Sequence, residues 1–490
     1  GISAAGAWDL LGREAAGFDR KGGNNRLAPG VPLGLICPMG MPLGSLRTLR
    51  EESTPLMDAT KGSKSVAIAF LAVTALALAL RVGLAVYLQP VPISDFRAYW
   101  NIAVDLAHGK GYVTEAGTPS AYRPIGYPLL LSVVVRIFGE DWFYAIVVQA
   151  LMGTGIVVAT AWLATRLFGA GTGLAAGLLT AILPDHLLWS TVLDSEIPFM
   201  LFMLLGVGLW VAPRGAAGFI PSPQRLVLSG LCLGFAALIR PVMLPAAGLF
   251  VLYVALSTLG AWRTPGTWRR ILTGTAAVAL GTVLVVAPWT IRNYVALGAF
   301  IPVSTNGGVN LWQGNNPAAN GAFFWPTDPA ENPLLTVESQ VERDRLGRRL
   351  ALQWIRENPG DFVRLGFVKW RHLLTDVRTA PNFAIRKASR PVPPDVREHI
   401  VLVLRWALYV LLTLTALGLL GWLARGRAGS AAELGRTSLP ALFLLYMLAL
   451  HFVFPAWDRF RFPFTPFMAI LAGLALSAPV EAMRRRRGRA

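Results

Sequence analysis

Charge is what this sequence has least of. Of its 490 residues 15% are charged and 54% are hydrophobic, where a soluble domain carries roughly 25% charged residues. That is too little charge to cover a water-facing surface, so much of the surface must face lipid. The fold class expected is an all-α polytopic membrane protein. Cysteine is almost absent: Cys37 lies in a Gly/Pro-rich stretch and Cys232 inside an apolar run, and neither suggests a disulfide or a metal site. Histidines form no cluster, so neither a metal nor another cofactor is inferred. No small-residue cleavage site follows the first apolar run, and no cleavable signal is expected. Negative charge is the scarcer sign, and the formal net charge is +18. In a soluble protein that balance would suggest nucleic acid. Here the basic residues flank apolar runs or lie in one long loop, so membrane topology accounts for much of the excess and no nucleic-acid partner is expected.

What is present is a series of apolar runs with basic ends. Residues 1–60 are polar and rich in Gly and Pro, and are expected to be a disordered or dispensable tail. Met57 begins a more ordinary N-terminus. From Lys61 to residue 290 the pattern predicts a transmembrane module of seven spans: about 65–88, 142–165, 170–189, 197–212, two short crossings within 226–260, and 271–290. The two short crossings turn at Arg240-Pro241, because an Arg at mid-bilayer costs at least ~2.5 kcal/mol. Residues 291–397 form a long external segment with helical stretches near 337–357 and 360–375. Residues 398–490 hold spans at about 398–423, 438–454 and 464–481, then a basic cytoplasmic tail. The stretch from Gly126 to Gly139 is apolar but only about 14 residues, too short to cross ~30 Å of hydrocarbon, and is expected to lie along the interface. Ten spans with both termini cytoplasmic put every short basic loop inside; loops above about 60 residues are exempt from that bias.

This alternation collects the polar turns on one side. They are Asp95 in the first external loop (89–141), Tyr122-Arg123-Pro124, Asp194-Ser195-Glu196, Arg240, Arg292-Asn293 and Arg459/Arg461. The spans themselves hold almost no acids at mid-membrane depth. An ion-coupled transporter places ionisable groups there, so the pattern favours an enzyme working at the outer surface.

These residues resemble the polyprenyl-phosphate-sugar-dependent glycosyltransferases of the GT-C class, which includes protein O-mannosyltransferases and lipid A aminoarabinose transferases. Asp95 sits where that class carries its essential acid. The segment Tyr122-Arg123-Pro124-Ile125-Gly126-Tyr127-Pro128-Leu129 looks like the class's Lys/Arg-Pro-Pro-x-Tyr segment, whose basic residue touches the donor phosphate. Asp194-Ser195-Glu196 looks like its second acidic turn. Pro288 to Asn293, followed by Gly314-Asn315-Asn316-Pro317, resembles a bacterial branch, as does His451 through Pro466. The matching pieces cover most of residues 60–480. One departure is that Asp95 is followed by Phe96, where the protein mannosyltransferases carry an Asp-Glu pair, which argues against a protein acceptor.

The resemblance implies a plasma-membrane (inner-membrane) glycosyltransferase with its site on the external, periplasmic face. It would invert the sugar in one displacement, from a polyprenyl-phosphate donor to a hydroxyl or phosphate group of a glycan, lipid or protein acceptor. The chemistry is consistent with that. Sugar transfer turns a phosphodiester into a phosphomonoester, so arginines aimed at the leaving phosphate stabilise the transition state most. A carboxylate such as Asp95 can take the proton of the attacking hydroxyl. Tyr122, Arg123, Asp194, Glu196, Arg240, Arg292, Asn293, Arg459 and Arg461 are the candidate substrate contacts. Plainer readings stay open for several of these. Arg459 and Arg461 are placed to pair with Asp458 or lipid headgroups, Arg292 to anchor at the interface, and Glu196 to cap a helix. His186 and His451 read as packing residues, and Trp312, Trp325, Trp354 and Trp370 as an interface belt. A lipid-linked glycan polymerase or ligase is the rival enzyme reading. A transporter or flippase is the rival from another class, although no second half mirrors the first.

The topology is tested by reporter fusions: one after Gly139 or Asn320 should read external, and one after Gly266 or Arg427 cytoplasmic. A cytoplasmic signal at Asn320 overturns the ten-span arrangement and the placement of the site with it.

Overall fold

A computed structural model describes residues 45–212, 220–259, 264–322, 325–428 and 431–487. The chain divides into two units, Gly1–Lys61 and Gly62–Ala490. Residues 1–44, which hold most of the expected tail, lie outside the described residues. The rest of that tail is not irregular as expected: the first helix, α1, runs Ser45–Leu88. Leu46, Arg47, Leu49, Arg50, Glu51 and Glu52 are all good helix formers, a local preference that the Gly/Pro-rich composition of the tail as a whole conceals.

The described chain is helical throughout, with one isolated bridge, Val113 to Pro119, in place of any sheet. After α1 come α2 (Ser94–Ala107), α3 (Gly126–Phe138), α4 (Trp142–Phe168), α5 (Ala170–Ile182), α6 (Pro184–Trp189), α7 (Glu196–Gly208), α8 (Pro223–Ile239), α9 (Ala246–Ser257) and α10 (Thr267–Leu297). Between α10 and the next long helix lie α11 (Gly307–Gly314), α12 (Gln340–Glu357), α13 (Pro359–Thr375) and α14 (Thr379–Ala384). The chain finishes with α15 (Pro394–Ala428), α16 (Ala431–Arg436), α17 (Leu439–Val453), α18 (Asp458–Arg461) and α19 (Thr465–Arg487). Among the described residues five helices are long and apolar enough to cross a membrane: α4, α10, α15 and segments of α1 and of α18–α19. Six further apolar helices are shorter, and five of them (α5, α7, α8, α9 and α17) fall on the remaining expected spans. At about 1.5 Å per residue, the 13 residues of α5 or α7 reach only part-way across ~30 Å of hydrocarbon. The sixth, α3, falls on the expected interfacial stretch.

Burial separates inner from outer helices. In the span ending at Val480, 72% of the apolar window is buried, against 17% in α1 and 28% in α15. So α19 is central, packed on α4, α5, α15 and α17, while α1 and α15 turn their apolar sides outward. A second row is built by α7, α8, α10 and α9 in contact order. The α8–α10 contact is close because it is made by glycine: a Cβ on Gly281 would meet the Val227 carbonyl oxygen at 2.2 Å, and one on Gly230 the Val278 oxygen at 2.3 Å. Small residues let helix backbones approach where no water is available to drive association.

Two helix breaks and one long helix position the outer turns. The apolar run 170–189 is not one span but two helices. Pro184 cannot donate a backbone hydrogen bond, and Leu183 is extended with ψ 119°. The carbonyls freed near the end of α5 are taken by a cation from another helix: Arg81 donates through Nη2 to the Thr180 oxygen (2.9 Å) and through Nη1 to that of Ala181 (3.1 Å). The break at Arg240 falls where its charge requires, with Arg240 extended and Pro241–Met243 forming a short 3₁₀ turn. By contrast α10 does not stop at residue 290. It continues through Pro288 to Leu297 and ends at Gly298 in the left-handed region, φ 64°, the usual glycine stop.

Gly281→Val should therefore lower the thermal midpoint in detergent, since overpacking a tight contact costs ~1–3 kcal/mol. Gly248→Ala, a helical site with nothing within 4 Å of the new Cβ, should leave it unchanged or raise it. Equal midpoints for Gly281→Val and wild type would show that the α8–α10 contact is not tight.

Candidate active site

The site begins with a sharp entry into α2. Ser94 has φ 53°, a left-handed conformation rare outside glycine, and it turns the chain so that Asp95 stands in the first turn of α2. An acid there is favoured by the helix dipole. Arg123 arrives from the other end of the same loop. Its segment is a narrow turn: the Thr114 N–H donates to the Thr118 oxygen (2.8 Å), the Ser120 N–H to the Tyr112 oxygen (3.0 Å), and the Arg123 N–H to Tyr112 Oη (2.8 Å). At the start of α3, Gly126 lies against the backbone of Leu238 and Ile239; a Cβ there would sit 2.7 Å from the Ile239 nitrogen. That contact brings the Tyr122-Arg123 turn beside Arg240 at the end of α8.

Six of the expected residues meet. Arg123 Nη2 donates to Asp95 Oδ1 at 2.6 Å. Arg459, on α18, lies 3.5 Å from the other oxygen of Asp95 through Nη1. Its Nε and Nη2 form a fork on Glu196, at 2.6 Å and 3.1 Å, and Nη2 also reaches Asp194 Oδ1 at 3.1 Å. Arg240 Nη1 donates to Glu196 Oε1. Aromatic rings support the cations: Arg459 lies over Phe96 (5.0 Å), Arg240 over Phe460 (5.3 Å) and Arg123 over Tyr122 (5.4 Å). Asp194 and Glu196 are fully buried, whereas the Asp95 side chain is 44% exposed. The cluster therefore has a closed floor and one carboxylate open to solvent.

The electrostatics follow from this geometry. Burial alone would push the Asp95 carboxyl up, but Arg459 and Arg123 outweigh it and hold the group below its ordinary value. Burial also works against the charge of Arg123, and Asp95 overcomes it. Asp194 goes the other way: burial, then the neighbouring Glu196 charge, push its carboxyl well above the usual range. Its Oδ2 has no hydrogen-bond partner. Among the described residues no three His, Cys, Asp or Glu side chains converge as metal ligands would.

Three expected residues lie outside the cluster. Arg292 donates to the backbone oxygens of Ser120 (2.6 Å) and Tyr112 (2.7 Å) and lies over Trp289 at 4.7 Å, so it braces the turn that carries Arg123. Asn293 is buried and donates to the Ile301 oxygen at 3.0 Å. Arg461 is buried on the opposite face of α18 from Arg459, since residues two apart on a helix point apart. It donates to the Asp376 oxygen at 3.1 Å and to that of Leu373 near the end of α13. Among the described residues Asp458 forms no ion pair with the guanidinium of either arginine. It accepts from the Thr379 N–H at 2.8 Å and from the Arg459 backbone N–H at 2.8 Å. Glu196 stands at the start of α7 but spends its side chain on Arg240 and Arg459 rather than on a cap.

Two glutamines were not anticipated. Gln149, buried in α4, accepts from Tyr127 Oη (2.6 Å) and from the Asp194 N–H (3.2 Å), and donates to the oxygens of Trp189 (3.2 Å) and Val192. A lone amide inside an otherwise apolar span was its signal in the sequence. Gln340, at the start of α12, accepts from the Ala121 N–H (3.0 Å) and Thr305 Oγ1 (3.1 Å) and donates to the Pro119 oxygen (3.1 Å). Nothing in its neighbourhood in the sequence marks it.

With this geometry in hand, the chain can be set beside known proteins. A model of the dolichyl-phosphate-mannose-protein mannosyltransferase family matches residues 122–290, the stretch that carries Arg123, Asp194, Glu196 and Arg240. No curated protein matches the chain. The apo Archaeoglobus fulgidus oligosaccharyltransferase superposes with a TM-score of 0.51 at 14% identity, covering 86% of this chain and 51% of that one. The same protein in complex with zinc and sulfate gives 0.50 at 14%, covering 85% and 50%. Apo ArnT from Cupriavidus metallidurans aligns at 17% identity over 85% of this chain and 78% of its own, with a TM-score of 0.38, too low to bear on the fold. The chain spans about half the length of the oligosaccharyltransferase it matches. In fold across most of its length, and in sequence across residues 122–290, the chain is similar to the membrane glycosyltransferases of the GT-C class.

Proposed function

We propose that this protein transfers a sugar from a polyprenyl-phosphate donor to an acceptor hydroxyl at the external face of the plasma membrane, with Asp95 as general base. The observation that carries the reading is the meeting of Arg123, Arg240 and Arg459 with Asp95, Asp194 and Glu196 at one end of the helix bundle. With Asp194 neutral, three guanidinium charges face two carboxylate charges, which leaves one positive charge. A phosphodiester brings one negative charge, and the phosphomonoester left after transfer brings more, so electrostatic stabilisation grows along the reaction.

In this scheme the ion pairs of the resting site are exchanged, not simply filled. Arg123 and Arg459 hold Asp95 below its ordinary pKa, which makes it a weak base. A donor phosphate that draws Arg123 away removes part of that restraint, and the carboxylate gains proton affinity once the leaving group is in place. Arg459 keeps its fork on Glu196 and turns its remaining Nη1 edge toward the phosphate. The polyprenyl chain stays among the outward-facing apolar helices, so only the phosphate and sugar enter the polar turn.

Two measurements test this. In membranes carrying the native donor, Asp95→Asn should lower formation of free polyprenyl phosphate by roughly 10²-fold or more while donor binding persists. Arg123→Lys should keep partial activity and Arg123→Ala very little, because Lys offers a point charge in place of a planar fork. The loss should appear in kcat as well as KM. Activity near wild type in Asp95→Asn removes the base, and a pure KM effect at Arg123 reduces it to a ground-state anchor.

The charge count has its own test, through stability. Above about pH 4 an unfolded Asp has released its proton, while the folded chain still holds one on Asp194. Native stability contributed by this group is therefore present below that value and is lost as pH rises through the folded pKa. Thermal midpoints of wild type and Asp194→Asn should diverge as pH rises, with the Asn variant gaining. A constant difference between pH 4 and 8 would show Asp194 to be charged.

A further inference from the structure

A cleft of about 1120 Å³ opens beside Arg123, walled by α2, the 112–120 turn and the starts of α4 and α12. Arg123 lines it and also bonds Asp95 at 2.6 Å, so the cleft ends one guanidinium away from the carboxylate. Its volume is at or above the 300–1,000 Å³ of drug-sized pockets, which is room for more than one sugar ring.

The charges around it select what can enter. The three arginines on its walls are committed. Arg123 holds Asp95, Arg343 donates through Nε to the Val337 oxygen at 2.9 Å, and Arg97 lies over the Trp142 ring at 5.9 Å. Two of its four acids are also paired: Asp105 with Lys110 (3.0 Å) and Glu140 with His108 (3.3 Å). Glu115 and Glu338 are exposed and, among the described residues, pair with no cation. A backbone bond or a ring does not cancel a charge, so the cleft faces two guanidinium charges, Arg97 and Arg343, and two unpaired carboxylates, Glu115 and Glu338. A phosphate-bearing acceptor would therefore find no net positive charge to hold it. An acyl chain lying against aliphatic residues such as Ile102, Val104 and Leu297 would also have to bury the charged groups on these walls. A hydroxyl both donates and accepts, so it can serve the unpaired carboxylates and the guanidinium edges at once, and its bonds to the carboxylates are charge-assisted.

We propose that this cleft binds the acceptor, and that the acceptor is an uncharged, hydroxyl-rich saccharide rather than a phosphorylated one. This rests on the glycosyltransferase reading above, whose donor site is separate. Gln340 links the two. It lines the cleft and holds the 119–121 backbone next to Arg123, so an occupied cleft presses on the segment that carries the phosphate ligand.

The test uses the full chain in nanodiscs and saturation-transfer NMR with neutral trisaccharides of glucose, galactose, mannose and N-acetylglucosamine. Mannose and mannose 6-phosphate form the charge comparison. At least one neutral trisaccharide should bind, mannose 6-phosphate should bind no better than mannose, and Glu115→Gln with Glu338→Gln should weaken the neutral ligand by about tenfold. Both glutamates are exposed, so the double variant should fold as wild type. The proposal is overturned if no neutral saccharide binds, if the phosphorylated sugar binds better, or if the double variant leaves binding unchanged. Undecaprenyl phosphate titrated into the same samples separates the two readings. Donor binding without saccharide binding fails the cleft alone, and loss of donor binding fails the donor site.

Discussion

The guanidinium of Arg459 is the interaction on which the rest of the site depends. It is 7% exposed, and within 3.5 Å it meets Glu196, Asp194 and Asp95. A charge taken out of water is tolerated only when paired and hydrogen-bonded, and the same holds for the fully buried Glu196. Neither can be satisfied unless the turn after α17, the turn before α7 and the loop that carries Asp95 reach the same place. One cation from near the end of the chain thereby ties together segments from its first half.

The scaffold around this pair is built so that polar turns are held by fixed donors and acceptors. Gln149 fixes the backbone ahead of Asp194 from inside a span, while Arg292 and Gln340 hold the turn that presents Arg123. Arg81 takes the carbonyls that the α5–α6 break leaves open. Inside the apolar helices, Gln149 and Arg81 replace hydrogen bonds that water cannot supply at that depth. A carboxylate or guanidinium in such a setting keeps its position while its partner is exchanged, which is what the proposed chemistry at Asp95 needs.

The acceptor side has the opposite character. The arginine–carboxylate cluster is nearly closed and its charged groups are paired with one another, whereas the cleft beyond Arg123 is open and carries unpaired glutamates. A division of this kind suits a reaction between one substrate delivered by the membrane and another arriving from outside it.

Much of this was legible along the chain. Apolar runs of helical length, basic residues at their ends and too little charge for a water-facing surface determined the class and the approximate helix positions, because lipid leaves few solutions for a polar backbone. Arg240-Pro241 marked its own break, and the alternation of sides collected Asp95, Arg123, Asp194, Glu196, Arg240 and Arg459 before any fold was in view. Only the tertiary structure decided which arginines serve the cluster. Arg459 and Arg461 are indistinguishable in sequence, yet they leave α18 on opposite faces, one toward Glu196 and the other toward the end of α13. Arg292, which the sequence offered as either a phosphate ligand or an anchor, holds the Ser120 and Tyr112 carbonyls in the fold. Gln340 shows the same limit from the other side, for its partners at residues 119–121 lie more than two hundred positions away. Periodicity and charge report on the solvent each segment meets, and that is local; which side chains share a pocket depends on long-range packing, which no segment carries alone.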